Sequence, residues 1–164
     1  MHTVMKKLFA ALCLFFMLLS APLFAENQTQ LYKAGSLAEI LKARQGKPFI
    51  LMFWSLDCAS CMKDLDALAA SVKKYPKLDL VMVSTDDAEF AGEVSEMLAK
   101  HKLGQVESWI FSDSNAQRLR YEVDPSWYGE LPRSYFYDAS HNRLPVSGAI
   151  TTEHIDAWVA AVNP

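Results

Sequence analysis

Cysteine is scarce in this chain: three residues in 164, and one of them, Cys13, lies in an apolar N-terminal run. The other two, Cys58 and Cys61, stand three positions apart. A bridge between them closes a loop too small to remove much entropy from the unfolded chain, so the pair is poorly suited to stapling a fold. Basic tracts are also missing. Lys and Arg number 16 against 19 Asp and Glu, without a Lys/Arg-rich stretch. Nucleic acid is therefore not an expected partner. After the N-terminus there is no second long apolar run, so no later segment is expected to enter a membrane. Internal repeats, low-complexity stretches and domain boundaries are likewise absent.

What the N-terminus does have is the layout of an export signal. Lys6 and Lys7 form a basic start, Leu8 to Leu19 an apolar stretch, and Ser20 to Ala25 a short polar-to-small exit. Residues 1–25 are therefore read as a signal peptide cut after Ala25, with Leu23 larger than usual at −3. The other reading, a retained membrane anchor, is disfavoured by the shortness of the stretch and by Pro22. Bulky Leu12 before Cys13 argues against a lipoprotein acceptor. Removing the leader takes Lys6 and Lys7 with it and leaves 14 basic against 19 acidic residues, a net charge of −5. Residues 26–164 are then one domain with room for a substantial core.

Along that domain, Ser36-Leu37-Ala38-Glu39 predicts a capping box at a helix that Gly46 and Pro48 end. Phe49 to Trp54 is continuously apolar, the mark of a strand buried on both faces. A helix is expected from about Cys58 to Lys74, where Pro76 blocks continuation and the terminal lysines suit the dipole. Leu78 to Ser84 reads as a second buried strand. Phe90, Val94, Met97, Leu98 and His101 mark another helix, which stops before Gly104. A strand at Trp109–Phe111, a helix over 115–121, and strands at 134–137 and 145–149 around a turn at Ser140-His141-Asn142 follow. A last helix, capped by Thr151 or Thr152, turns Ile155, Trp158, Val159 and Val162 inward. Alternating strands and helices with a closing hairpin predict an α/β fold on a mainly parallel, mixed sheet.

The chemistry centres on Cys58-Ala59-Ser60-Cys61. Two thiols so spaced at a helix start serve as a redox couple, a soft-metal clamp or an inert bridge. A cysteine at a helix N-terminus faces free amides and the positive dipole end, which lower a thiol pKa from ~8.5 into a range of roughly 3.5–7.5. Cys58 is thus the expected nucleophile. Cys61, a turn inward beside Leu65 and Leu68, is the expected buried resolving thiol. Asp57 is read as the helix N-cap, or as a carboxylate that disfavours the Cys58 thiolate and makes the couple more reducing. Asp64, one turn beyond Cys61, is either a proton relay to that sulfur or a solvated helix carboxylate. Leu131-Pro132 ahead of a strand has trans as its default.

Taken together, Phe53-Trp54, three residues and then Cys58-Ala59-Ser60-Cys61 resemble the active-site turn of thioredoxins, and Leu131-Pro132 matches the place of their cis-proline loop. The long stretch from Ser84 to Leu131, with its added helix and strand, resembles that of the exported TlpA/ResA/DsbE-like thiol–disulfide oxidoreductases. The resemblance covers residues 36–162. It implies a thioredoxin-like fold in which a central mixed sheet is flanked by helices, with a helix-strand insertion before the cis-Pro loop. It also implies a periplasmic enzyme, acting as a monomer, that exchanges disulfides with partner proteins and draws electrons from a membrane-embedded donor. No cofactor beyond the redox-active Cys58–Cys61 disulfide is implied, and no metal. Substrate contact falls by analogy on Leu131, Pro132 and Trp54, and a proton-handling role on Asp64. Trp127, in the extended link from Val123 to Pro132, is expected either to recognise a partner or to cover a core edge. The chain departs from the pattern at Asp57 in place of a Trp, Met52 in place of a buried Asp, and Asp66 in place of a helix-kinking proline.

The same residues admit rival functions. A copper(I) module would use the two thiolates, but Leu56 replaces the expected Met and everything after Ser84 goes unused. His101, His141 and His154 show no ligand spacing. Within the enzyme class, the resemblance and Asp57 favour a reductase over an oxidase or isomerase.

Overall fold

The strand Phe49–Trp54 is buried at all six positions, and the rest of the domain is arranged to cover its two faces. The computed structural model describes residues 28–162; the expected signal peptide lies outside them. In chain order the elements are β1 (Gln30–Tyr32), α1 (Ser36–Ala43), β2 (Phe49–Trp54), α2 (Ala59–Lys74) and β3 (Leu80–Asp87). A 3₁₀ turn (Ala88–Phe90) leads to α3 (Ala91–Lys100), β4 (Glu107–Phe111), α4 (Ala116–Val123), β5 (Arg133–Tyr137), β6 (Arg143–Ser147) and α5 (Thr152–Val162). The six strands form one sheet in the order β1-β4-β3-β2-β5-β6. The first four are mutually parallel, and β5 and β6 are added antiparallel. The expected mixed, thioredoxin-like α/β architecture is what is found.

Side chains alternate along a strand, so Ile50, Met52 and Trp54 face one side of the sheet and Phe49, Leu51 and Phe53 the other. On the first side they meet Leu65 and Leu68 of α2, Val94 and Leu98 of α3, and Ile155 of α5. Full burial of each such leucine contributes about 1.5–3 kcal/mol. The second side is aromatic. Tyr32, Phe111, Tyr135, Tyr137 and Trp127 close it together with Ile40, Leu119 and Val123. Phe49 stacks on Tyr137 with centroids 4.6 Å apart.

Several expectations change in detail. The capping box does not form. Gly35, at φ 88°, takes the N-cap position, and Ser36 Oγ instead accepts the amide of Lys33 at 3.0 Å. The polar stretch before it contains β1, which pairs with β4 through only three residues. Phe90 falls in the 3₁₀ turn ahead of α3 rather than in the helix, and is partly exposed. β3 begins two residues later than expected and runs on to Asp87, with a register irregularity between Ser84 and Asp87. β6 lies two residues earlier than expected.

Because β1 to β4 are parallel, their C-terminal ends share one pole, the place where open α/β sheets build sites. The turn Ser55–Cys58 leaves β2 there.

Candidate active site

Ser55–Cys58 turns the chain from β2 into α2. Its closing bond runs from the Cys58 amide to the Ser55 carbonyl at 3.2 Å. Cys58 itself is the N-cap of α2, extended at φ −88° and ψ 93°, and its Sγ accepts the Cys61 amide at 3.2 Å. Asp57, expected as the cap, stands one residue outside the helix and is exposed. Cys58 and Cys61 are joined as a disulfide. Their environments differ: Cys58 is partly exposed, whereas Cys61 is fully buried beside Trp54 and Leu65.

A neighbouring strand holds this turn. At the irregularity in β3, Asp86 Oδ2 accepts the Leu56 amide at 3.0 Å and also the Ser84 hydroxyl. The Asp86 amide donates to Ser84 Oγ at 3.0 Å, and Thr85 Oγ1 donates to the Trp54 carbonyl at 3.4 Å. Sequence reading passed over Asp86, because only the β3 irregularity brings it to the cysteine turn. Hydrogen bonds to charged groups contribute about 1.5–3 kcal/mol. Asp86→Ala should therefore lower stability by about that much and shift the dithiol potential, whereas Asp86→Asn, which keeps an acceptor, should do less of both. Urea melts and redox titration of the two variants would check this. Equal behaviour of Ala and Asn would count against a holding role.

Asp64 lies one helical turn past Cys61 and is fully buried, so the solvated-carboxylate reading is overturned. Its Oδ1 accepts the Ile150 amide at 3.2 Å, while Oδ2 is buried with no hydrogen-bond partner. Burial pushes its pKa up to about 6, only partly opposed by the Ile150 amide. A buried carboxylate near neutrality can hold or release a proton under working conditions.

Across the sheet, Leu131-Pro132 is a cis peptide bond. Phe53 pairs with Arg133, so Pro132 falls level with Trp54, where β2 passes into the cysteine turn. Pro132 accepts the Gly148 amide at 2.9 Å. The preceding loop is tied down by charge. Arg133 Nη2 donates to Asp124 Oδ2 at 2.9 Å, and Arg133 Nη1 reaches Glu130 at 3.3 Å. Asp124 also accepts the amide and hydroxyl of Ser126. Burial alone would raise the Asp124 pKa, but Ser126, Arg133 and Arg143 together hold it at about 2.

A match to the AhpC/TSA family spans residues 19–142. The chain belongs to the AhpC/TSA family. Solved structures of similar fold include a secreted disulfide oxidoreductase of Mycobacterium tuberculosis, described as homologous to E. coli DsbE. It is 22% identical, with 73% of this chain and 85% of that one covered and a TM-score of 0.58. StoA from Bacillus subtilis is 20% identical over 70% and 84%, with a TM-score of 0.53. A thioredoxin-related protein of Neisseria meningitidis is 18% identical over 70% and 84%, with a TM-score of 0.57. No curated protein matches the chain. Family, fold and cysteine pair together support thiol–disulfide chemistry as the general class.

Within this AhpC/TSA fold, two residues expected at the substrate surface belong to the core. Trp54 is fully buried, because its place in β2 turns it towards α2 and Cys61, and its Nε1 has no acceptor. Trp127 is 4% exposed, tilted on Phe53 at 4.7 Å, with Nε1 donating to the Glu130 carbonyl at 2.9 Å. Of the two readings for Trp127, covering a core edge is the one the structure realises. The exposed aromatic of that loop is its neighbour Tyr128, at 91%. Leu131 is partly buried and packs against the cores on both faces. Asp66 Oδ1 accepts from the His101 ring Nδ1 at 2.8 Å, tying α2 to α3. His141 and His154 likewise engage Arg44 and Thr151 backbone atoms. Among the described residues no group of three or more His, Cys, Asp or Glu is arranged to hold a metal ion. No described helix is long and apolar enough to cross a membrane.

Proposed function

We propose that this protein is an exported thiol–disulfide oxidoreductase that reduces disulfides in periplasmic partner proteins. The observation that carries the reading is the inequality of the two sulfurs at one helix start: Cys58 accessible at the N-cap and Cys61 buried next to a carboxylate-bearing turn. In the reduced enzyme the Cys58 thiolate, favoured by the amides and dipole of α2, attacks one sulfur of a substrate disulfide. A mixed disulfide forms and the other substrate sulfur leaves as thiolate. Cys61 then gives up its proton, with Asp64 as the buried acceptor, and attacks Cys58 Sγ. The substrate departs fully reduced, and the enzyme holds the Cys58–Cys61 disulfide, two electrons poorer. A membrane-embedded donor, implied by the resemblance to exported relatives, would restore the dithiol.

Leu131 and Pro132 are the backbone against which a substrate strand would lie, beside the cysteine turn. Asp57, exposed and adjacent to Cys58, adds negative charge that disfavours the thiolate of the reduced form and so makes the couple more reducing. Met52 fills the position where thioredoxins bury a carboxylate. In this chain the buried carboxylate comes from α2, as Asp64.

The test is to trap and to titrate. Cys61→Ala should accumulate mixed disulfides through Cys58, since nothing remains to resolve them. Failure to capture any partner would count against dithiol exchange. A potential near about −120 mV, that of a strong oxidant, would replace the reductase with an oxidase. Peroxide turnover faster than disulfide exchange, or tight stoichiometric copper(I) binding without exchange, would overturn the reading altogether.

A further inference from the structure

The pole opposite the dithiol carries a charge pattern unlike the rest of the molecule. Helices α2 and α3 run back from the cysteine pole, so their C-terminal ends gather where β2, β3 and β4 begin. Lys73 lies in the last turn of α2 and Lys77 follows that helix, Lys100 ends α3 and Lys102 follows it, and Lys47 precedes β2; all are exposed. Exposed Glu96, one turn before Lys100, adds a negative charge here, but the other carboxylates near them already have partners. Asp79 and Glu107 bind Arg44 at 3.0 and 2.7 Å, Asp156 binds Lys74 at 2.7 Å, and Asp66 meets His101. Asp138 is engaged in its own turn with Ser140 and Asn142. The named lysines form no ion pair among the described residues. On a chain of net charge −3, this pole is therefore locally cationic, while exposed Asp57, Asp87 and Glu89 mark the dithiol pole as acidic.

Lys47, Lys74 and Lys77, with Asp79, border an apolar groove of about 810 Å³ floored by Pro48, Tyr75, Leu78 and Trp158, whereas Lys73, Lys100 and Lys102 border a separate hollow between α2 and α3. Trp and Tyr favour the headgroup level of a bilayer, and lysines beside them keep their ammonium groups among the headgroups. The cations are spread over two helix ends and a loop, a face rather than the single slot that a peptide would fill. The chain also carries the apolar run Leu8–Leu19, which brings it to a membrane during export.

We propose that this basic pole docks on an anionic phospholipid surface, seating Trp158 at the interface and pointing the Cys58–Cys61 pole away from the bilayer towards partners. The proposal rests on the exported reading above. A like-charged surface also repels the acidic dithiol pole, so the electrostatics select one orientation.

The test uses the chain from Glu26 to Pro164, which contains every strand and helix described, and flotation with vesicles at low ionic strength. Binding is expected to vesicles rich in phosphatidylglycerol and not to pure phosphatidylcholine, with a blue shift in Trp fluorescence that W158F abolishes. Each lysine near an anionic surface contributes about fivefold, so K47Q/K77Q/K100Q should weaken binding roughly a hundredfold. Disulfide exchange with a soluble substrate should be unchanged in that variant, which separates failure here from failure of the redox assignment. No binding at low salt, equal binding to neutral vesicles, or undiminished binding by the triple variant would overturn the proposal. So would lysine-dependent binding of a polyglutamate peptide without vesicle binding, which would assign the pole to an acidic protein.

Discussion

Asp124→Ala is expected to cost about 3–5 kcal/mol of stability, because it removes one partner of a buried ion pair and leaves the other charged. The side chains of Asp124 and Arg133 are about one-tenth exposed and meet at 2.9 Å. Arg133 has other partners in Glu130, Tyr135 and Ser147, but Asp124 is its most buried anion. The loss is not only thermodynamic. Arg133 follows Pro132 directly, and Asp124 begins the loop that ends there, so the pair closes the segment 124–133 on itself. Freeing it should raise the KM for protein substrates more than it lowers the exchange rate of a small disulfide. Urea melts and the two kinetic constants would test both halves.

The pH dependence has a definite sign. The Asp124 pKa, about 2, lies below its ordinary value. Its stabilising effect is therefore fully present above about pH 4 and is lost as pH falls through 2. Asp124→Ala should show no such acid limb. Replacing both partners with apolar residues of similar size should recover much of the loss, since a missing pair is far less costly than half of one. If the double variant is as unstable as the single, the segment depends on packing by Trp127 and not on the pair.

How much of this was legible in the sequence depends on the distance over which each feature is determined. The strand Phe49–Trp54 and the helix after Cys58 follow from local composition and periodicity, and both stand where expected. So does the contrast between an outer Cys58 and an inner Cys61, which helical spacing alone predicts. β1 was missed because three residues with one buried side chain, Tyr32, leave no pattern to find; its partner β4 lies nearly eighty positions away. The capping box failed for a similar reason. Gly35 sits in a left-handed turn whose amide is taken by Glu122 at 3.1 Å, and no local rule sees that contact.

The site divides along the same line. Asp57 and Trp54 sit next to the cysteines in sequence, and nearness misled: one lies outside the helix and the other faces into the core. Asp86 is thirty positions from Leu56, and only pairing of β2 with β3 joins them. Trp127 and Tyr128 are adjacent aromatics with opposite fates. Which of them turns inward is decided by Phe53 and the Glu130 carbonyl, not by either residue's character.

Asp64→Asn should make the protein more stable at neutral pH and worse at its chemistry. The carboxyl is buried with one oxygen unpartnered, and its pKa stands at about 6 rather than near 4. Between those values the unfolded chain releases a proton that the folded chain keeps, so stability falls as pH rises through this window. At pH 7 the ionised group costs on the order of 3 kcal/mol, which a neutral amide does not incur. Melts of the two proteins should therefore converge below pH 4 and separate above 6. In the proposed mechanism this carboxyl is the proton site for Cys61. The variant should slow release from the mixed disulfide about a hundredfold, the lower range for general acid–base help, and erase any inflection near pH 6. Should the rate and its pH profile stay unchanged while stability rises, the resolving proton goes directly to water and Asp64 is only a cost to the fold.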